Sequence, residues 1–374
     1  MSSYRPLTAV VLAAGEGTRM KSARPKPLHV LCGRPMLLHV LDALSELPME
    51  RAVVVVGHGA ERITKTIQEQ APPHLIIDFV EQHVARGTGD AASVALTAFP
   101  DDLAGDDVED GDIIVLPGDT PLLRPATLAA LVREHRVTDA ACTVLTAQLD
   151  HPAGYGRILR DRDSRVSRIV EHVEATDEER QVGEVNTSIY CFRRSLLAPA
   201  LRRLSPENAL GEYYLSDVVE VLHDAGYNVG SFIVEDPIET AGVNDRAQLS
   251  AAEAELRDRI NERWMRFGVT MLDPERTYVD TSVRLSVDVT IFPGTMLQGD
   301  TVVASGACLG PEVRLADCVV GEGAAVEHTV GDHAEIGADA VVGPFAVLSP
   351  GSHVAAGVRT GAFYTGEIGD DDEL

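Results

Sequence analysis

Lysine is nearly missing from this chain: of its 32 basic residues only Lys21, Lys26 and Lys65 are lysines, and the rest are arginines. Cysteine is sparse and unpatterned. Cys32, Cys142, Cys191, Cys308 and Cys318 are odd in number, scattered and never spaced as Cys-x-x-Cys, which argues against a disulfide framework or a zinc site. They are expected to be small buried apolar groups. No apolar run reaches the length of a membrane span, and residues 1–6 lack the apolar core of a signal peptide, so a cytoplasmic protein with no membrane partner is expected. Positive charge is in deficit too. A formal charge of −26 repels polyanions and excludes a nucleic-acid partner. The acid is densest at Asp101-Asp102, in the 106–110 run and at Asp370-Asp371-Asp372-Glu373, which read as solvated loops and a solvated end, not ligand sites.

What is present falls into two halves, as a length of 374 residues allows. Short apolar runs at 7–12, 52–57, 76–80, 113–117, 141–147 and 188–192 read as strands, with helical patterns at 35–47, 90–99, 125–135 and 211–225. That alternation implies a Rossmann-like, doubly wound α/β sheet over residues 1–245. A connecting helix is expected at 246–267. Beyond it, Ile291, Leu297, Val303, Leu309 and Leu315 recur every six residues, as do Val330, Ile336, Val342, Leu348 and Val354. Gly310, Gly331, Gly337 and Gly343 each follow an apolar position of that pattern. A six-residue period marks a parallel β-helix, roughly five triangular coils over 279–366 within a domain of 268–374. The break in phase between Leu315 and Val330 predicts an irregular corner or a short loop.

The densest chemistry lies just after the first strand, in Leu12-Ala13-Ala14-Gly15-Glu16-Gly17-Thr18-Arg19-Met20 and then Pro25-Lys26-Pro27-Leu28. Ala-Ala-Gly leaves a backbone that a ligand can approach closely, and Gly15 and Gly17 let successive N–H groups aim at one anionic point. Arg19 and Lys26 add charge-assisted contacts. Two of the three lysines sit here, where a compact ammonium suits phosphate. The loop is neither a Walker loop nor a dinucleotide fingerprint, since it has no Gly-Lys-Ser/Thr and no third glycine. It reads as a polyphosphate grip. In a doubly wound sheet this loop, Gly87-Thr88 and Gly118-Asp119 all fall at the carboxyl ends of strands, where ligands bind.

These blocks, with Glu81-Gln82, Gly87-Thr88-Gly89, Pro121-Leu122-Leu123, Gly154-Tyr155-Gly156-Arg157, Ile169-Val170-Glu171, Glu184-Val185-Asn186-Thr187, Gly211-Glu212-Tyr213-Tyr214 and Gly242-Val243-Asn244, occur in order over about 240 residues. The pattern resembles the sugar nucleotidyltransferases. Among them it is similar to the bifunctional family that joins an N-acetylglucosamine-1-phosphate uridyltransferase to a glucosamine-1-phosphate acetyltransferase on a left-handed β-helix. The resemblance implies UTP and N-acetylglucosamine-1-phosphate as substrates, Mg²⁺ as cofactor and a homotrimer through the β-helix. Residue by residue it implies Asp119 and Asn244 as metal ligands. It implies Arg19, Lys26 and Asp119 as the catalytic set. Leu12, Ala13, Ala14, Gly15, Gly17, Thr18, Lys26, Gln82, Gly87, Thr88 and Gly118 would hold the nucleotide, and Gly156, Glu171 and Asn186 the sugar. Taken singly, Asp119 also suits a strand-end cap and Asn244 a turn.

Several positions depart from the family. Ser188 stands for a glycine, Asp90 for a histidine, Val173 for a polar residue and Leu210 for a glutamine, and Pro117 precedes Gly118 where a polar or aromatic residue is common. These changes leave another sugar phosphate, or dTTP, as alternatives to the first substrate pair, and a silent nucleotide-sugar-binding regulator as a third reading. In the β-helix, Ser349 and Glu367 occupy the places of a basic pair, and the sequence stops at Leu374, short of the later acetyltransferase coils. The β-helix is therefore expected to serve assembly without acetyl transfer.

Overall fold

The computed structural model describes residues 5–49, 51–99 and 110–366. Asp101, Asp102, most of the 106–110 run, Glu367 and the acidic residues 370–373 lie outside the described residues. The chain divides into two compact units, one of residues up to His29 with Pro35–Leu249, the other of Val30–Arg34 with Ser250 onward. No helix among the described residues is long and apolar enough to cross a membrane.

The first unit is built on nine strands: β1 (Leu7–Ala13), β2 (Arg51–Val56), β3 (Ile77–Glu81), β4 (Asp112–Pro117), β5 (Cys142–Gln148), β6 (Arg157–Arg160), β7 (Val166–Val170), β8 (Glu184–Arg193) and β9 (Val229–Ile233). Their main order is β9-β5-β8-β4-β1-β2-β3, with β6 and β7 attached through β8. Strands β1 to β4 are parallel, with Leu12 level with Val55 and Pro117. Strand β8 runs antiparallel to β4 and β5. Because successive side chains point to opposite faces, Leu7, Ala9, Val11 and Ala13 pack with α1 (Met36–Ser45), α2 (Ala60–Gln70) and α4 (Pro125–Val137). On the other face Val10 packs with α3 (Thr88–Leu96), α5 (Arg194–Leu201) and α6 (Asp217–Asp224). The sheet is doubly wound, as its alternating pattern implied, and each fully buried valine or leucine stabilises it by about 1.5–3 kcal/mol.

Helix α6 begins six residues later than the 211–225 pattern predicted. The backbone before it is already committed: Tyr213 N–H donates to the Arg86 carbonyl (2.7 Å), and the Tyr213 carbonyl accepts from Gly89 N–H (2.8 Å) at the start of α3. A segment whose amides and carbonyls bond sideways cannot also close helical turns. Asp110 is not merely solvated either. Its carboxylate accepts from the Ser195 N–H (3.1 Å) and Oγ (2.7 Å) at the start of α5.

After α7 (Arg246–Phe267), the second unit winds into a left-handed parallel β-helix of three five-stranded sheets. Ile291, Leu297, Val303, Leu309 and Leu315 all point inward and are fully buried. Val330 does not. It is 49% exposed, and Gly331 takes the inward place stacked on Leu315, where a Cβ would come 2.8 Å from the Leu315 methyl. The phase break is a shortening, not an inserted loop: 297 stacks on 315, 315 on 331 and 331 on 348. Four cysteines are buried, but Cys308 is exposed, because it precedes inward Leu309 and so faces out.

Candidate functional site

A cavity of about 690 Å³ opens at the carboxyl ends of β1, β3 and β4, all within the first unit. Leu12, Ala13, Ala14, Gly15, Arg19, Lys26, Gln82, Gly87, Thr88, Gly118, Asp119, Glu171, Asn186 and Asn244 line it. Gly17, Thr18 and Gly156, expected at the ligand, do not. Gly17 has φ +64°, and a Cβ there would meet the Lys26 Cβ at 2.5 Å, so its glycine makes room for the lysine stem. Thr18 opens the short 3₁₀ turn Thr18–Met20 behind it. Gly156 backs the wall: its carbonyl accepts from Asn186 N–H (2.9 Å), and a Cβ there would lie 3.4 Å from both Glu171 carboxylate oxygens.

One part of the cavity wall is organised by Lys26. Lys26 Nζ donates both to the Asp119 carboxylate and to Asn244 Oδ1, the latter at 2.8 Å. Asp119 and Asn244, 125 positions apart in sequence, meet because Val243 N–H donates to the Asp119 carbonyl (2.9 Å). Asn244 is then steadied by its own N–H, which donates to Gln248 Oε1 at 2.7 Å. A carboxylate and a carboxamide oxygen already converge on one positive charge, and both are the hard oxygen donors that a divalent cation of the magnesium type accepts. Arg19 is exposed and makes no hydrogen bond or ion pair among the described residues, leaving its guanidinium available to an anion.

Another part of the cavity wall carries Glu171, Asn186, Ser188, Tyr190 and Ser216. Burial pushes the Glu171 carboxyl above its ordinary range, Ser216 Oγ donates to it at 3.1 Å and partly offsets this, and the Glu174 charge adds to the rise. Asn186 Nδ2 donates to the Tyr190 hydroxyl (2.9 Å), while Asn186 Oδ1 accepts from Ser188 N–H (3.0 Å). Each amide group keeps one free hydrogen or lone pair for a ligand. Ser188 sits at an irregularity where β8 loses register with β5 between Asn186 and Ile189, with φ +62°. That conformation explains why glycine is the usual residue there.

Gln82, just beyond edge strand β3, is 9% exposed, and its Nε2 donates to the Gly87 carbonyl (3.2 Å) and to Asp90 Oδ2 (2.8 Å). Thr88 Oγ1 accepts from Leu215 N–H at 3.0 Å. Sequence reasoning missed Ser216, Tyr190 and Gln248. Tyr190 is four residues past Asn186 on the same strand, and Gln248 four past Asn244, but hydroxyls and amides at such spacings are common and carry no signal alone. Pro117 also lines the cavity, whereas Val173 and Leu210 are exposed and do not.

The family model of the MobA-like NTP transferase domain matches residues 9–220. The chain is 45% identical over 364 residues to the bifunctional protein GlmU of Streptomyces avermitilis, covering 97% of this chain and 74% of that protein. The chain belongs to this family. Two further members agree: GlmU of Desulfitobacterium hafniense is 44% identical over 98% of this chain and 78% of its own length, and that of Thermobifida fusca 48% identical over 90% and 68%. A solved structure, HddC from Yersinia pseudotuberculosis, aligns with a TM-score of 0.49 at 19% identity over 67% of this chain and 99% of that one. Membership makes the chain a nucleotidyltransferase, and the cavity at the strand ends lies mostly within the matched segment.

Proposed function

We propose that this enzyme transfers a uridylyl group from UTP to N-acetylglucosamine-1-phosphate with Mg²⁺, giving UDP-N-acetylglucosamine, a cell-wall precursor, and pyrophosphate. The observation that carries this reading is Lys26 joined to Asp119 and Asn244 in the same cavity that a half-committed carboxylate and amide, Glu171 and Asn186, also line.

An oxygen of the sugar phosphate attacks the α-phosphorus of UTP, and the bond to the bridging oxygen of the β-phosphate breaks, so pyrophosphate leaves carrying its electron pair. Two anions must meet, and no covalent nucleophile on the protein is needed. Lys26 and Arg19 offset the charge gathering on the phosphates, and the Gly15 backbone admits them closely. Asp119 and Asn244 would hold Mg²⁺, which neutralises and orients the triphosphate. Glu171 accepts from sugar hydroxyls, Asn186 supplies one donor and one acceptor, and Ser216 fixes the Glu171 carboxylate so the sugar arrives in one orientation. Gln82 faces the base.

The same reading leaves the β-helix without acetyl transfer, because half-buried Ser349 stands where the family's phosphate-binding arginine is expected. We infer a homotrimer through that β-helix, supported by an outward column in one sheet, Tyr278, Met296, Arg314, Val330 and Val347, whose members are all exposed and, Arg314 apart, apolar. UTP as substrate supports a cytoplasmic enzyme. The test is pyrophosphate release from the whole chain with Mg²⁺ or with EDTA, across UTP, dTTP and CTP and a panel of sugar-1-phosphates. UTP with N-acetylglucosamine-1-phosphate and Mg²⁺ is expected to turn over fastest. A sugar without the acetamido group as best substrate replaces the proposed acceptor, and silence with every pair removes the enzyme reading.

A further inference from the structure

The Gln82 amide is locked in one orientation by Asp90. A carboxylate only accepts, so the atom of the Gln82 amide facing Asp90 Oδ2 at 2.8 Å must be the nitrogen. Its second hydrogen goes to the Gly87 carbonyl, which also only accepts. Both Nε2 hydrogens are thus committed inside the protein. Oε1 has no partner among the described residues, on a side chain that is nine-tenths buried yet lines the cavity. What Gln82 offers a ligand is an acceptor alone.

We infer that Asp90 is a positioning residue for base selection, holding Gln82 so that it accepts from the N3–H of a uracil or thymine ring and rejects cytosine. The inference rests on the uridylyl reading above. A uracil edge has a single ring donor, N3–H, flanked by two carbonyl acceptors, so an acceptor-only partner can pair with it in one way. Cytosine in the same pose turns an N3 lone pair toward Oε1, and two acceptors face each other without a proton between them. A buried site of this kind rejects the mismatched ring strongly, since both polar groups lose water without gaining a partner. Asp90 replaces the histidine usual at this place, and a histidine cannot dictate the amide orientation as a carboxylate does, because either ring nitrogen can donate or accept.

A purely structural role is available to Asp90, because it lies in the first turn of α3, where a negative charge complements the helix dipole. Base selectivity separates the two roles. Calorimetric titration of the whole chain with UTP and with CTP, without sugar phosphate, reads selectivity independently of turnover, and kcat/KM for the two nucleotides reads it again. The wild type is expected to favour UTP by about 100-fold or more. In Asp90→Ala only the longer bond to the Gly87 carbonyl (3.2 Å) still orients the amide, and the ratio is expected to fall at least about tenfold, mainly because CTP improves. Asp90→Asn keeps the size, guards against loss of fold, and can face Gln82 with either atom, so its ratio should fall between the two. A ratio unchanged within about twofold in both variants, a parallel loss for both nucleotides, or a wild type without preference for UTP overturns the inference. Selective UTP binding without pyrophosphate release for any sugar phosphate overturns the uridylyl reading and leaves the role of Asp90 standing.

Discussion

Replacing Lys26 by methionine should move metal binding and catalysis in opposite directions. The lysine side chain is 13% exposed and that of Asp119 25%, so the ammonium holds the two oxygen donors in a partly dry place. A divalent cation reaching Asp119 and Asn244 has to displace Nζ from both. Each hydrogen bond to a charged group contributes about 1.5–3 kcal/mol, and in the nucleotide-free protein water recovers only part of it for the released ammonium. A net competition of about 1–2 kcal/mol remains, close to tenfold in a dissociation constant. Lys26→Met keeps the length of the stem and removes the competitor. Mn²⁺ titrated into nucleotide-free protein and followed by electron paramagnetic resonance should therefore bind about ten times more tightly than to the wild type. Turnover should fall by about 100-fold or more, because the same ammonium is lost from the phosphates. Asp119→Asn, which removes the anionic donor, should bind Mn²⁺ more weakly than either. Mn²⁺ affinity that is unchanged or weaker in Lys26→Met would refute the displacement argument even if activity were lost.

Burial, then the charges of Glu174, Glu171 and Glu220, pushes the Asp217 carboxyl up to about 6, so the folded state holds this proton more tightly than the unfolded chain. Its contribution to stability is present below about pH 4 and is lost as pH rises through 6; allowing for solvent screening of a half-exposed group, Asp217→Asn should gain about 1 kcal/mol at pH 7. Thermal melts should show that gain shrinking toward pH 4, and equal gains at both pH values would refute the charge argument. Ser188→Gly removes a side chain from a backbone with φ +62° and should raise the urea midpoint by the equivalent of about 0.5–1 kcal/mol, whereas a lower midpoint would mean the serine is held by contacts that outweigh its strain. Gly321→Ala would place a Cβ 2.5 Å from the Ala338 nitrogen in the next coil, so denaturation of the β-helix should become easier by about 1–3 kcal/mol; an unchanged melt would show that the coils can part without cost.

The parts of this fold that follow from short-range periodicity could be read from the sequence. Strand β1 follows from a short continuous apolar run and the inward column from Ile291 to Leu315 from a six-residue repeat, and both stand where those patterns put them. Misreadings arose where a distant partner decides. The 211–216 backbone is drawn into bonds with Arg86 and Gly89, and no local pattern records that. Gly17 leaves room for the Lys26 stem, a packing role visible only once the two residues lie side by side. Asp119 and Asn244 could be named from the ordered motifs, but not that one ammonium joins them. The orientation of Gln82 was illegible for another reason: the residue holding it, Asp90, differs from the family's usual one.

The shortened coils show where this β-helix can change length. Each strand pairs only with its counterparts one coil above and below, so stacking re-establishes itself coil by coil, and a residue lost at a corner is not inherited as an offset by the coils beyond. The passage from Leu315 to Ile336 records such losses, and the coils after it are as well buried as those before. In this chain the shortening falls at corners such as Asp317, where φ is +52°, and leaves the paired faces in register. The domain can drift in the number of its residues without drifting in the number of its rungs.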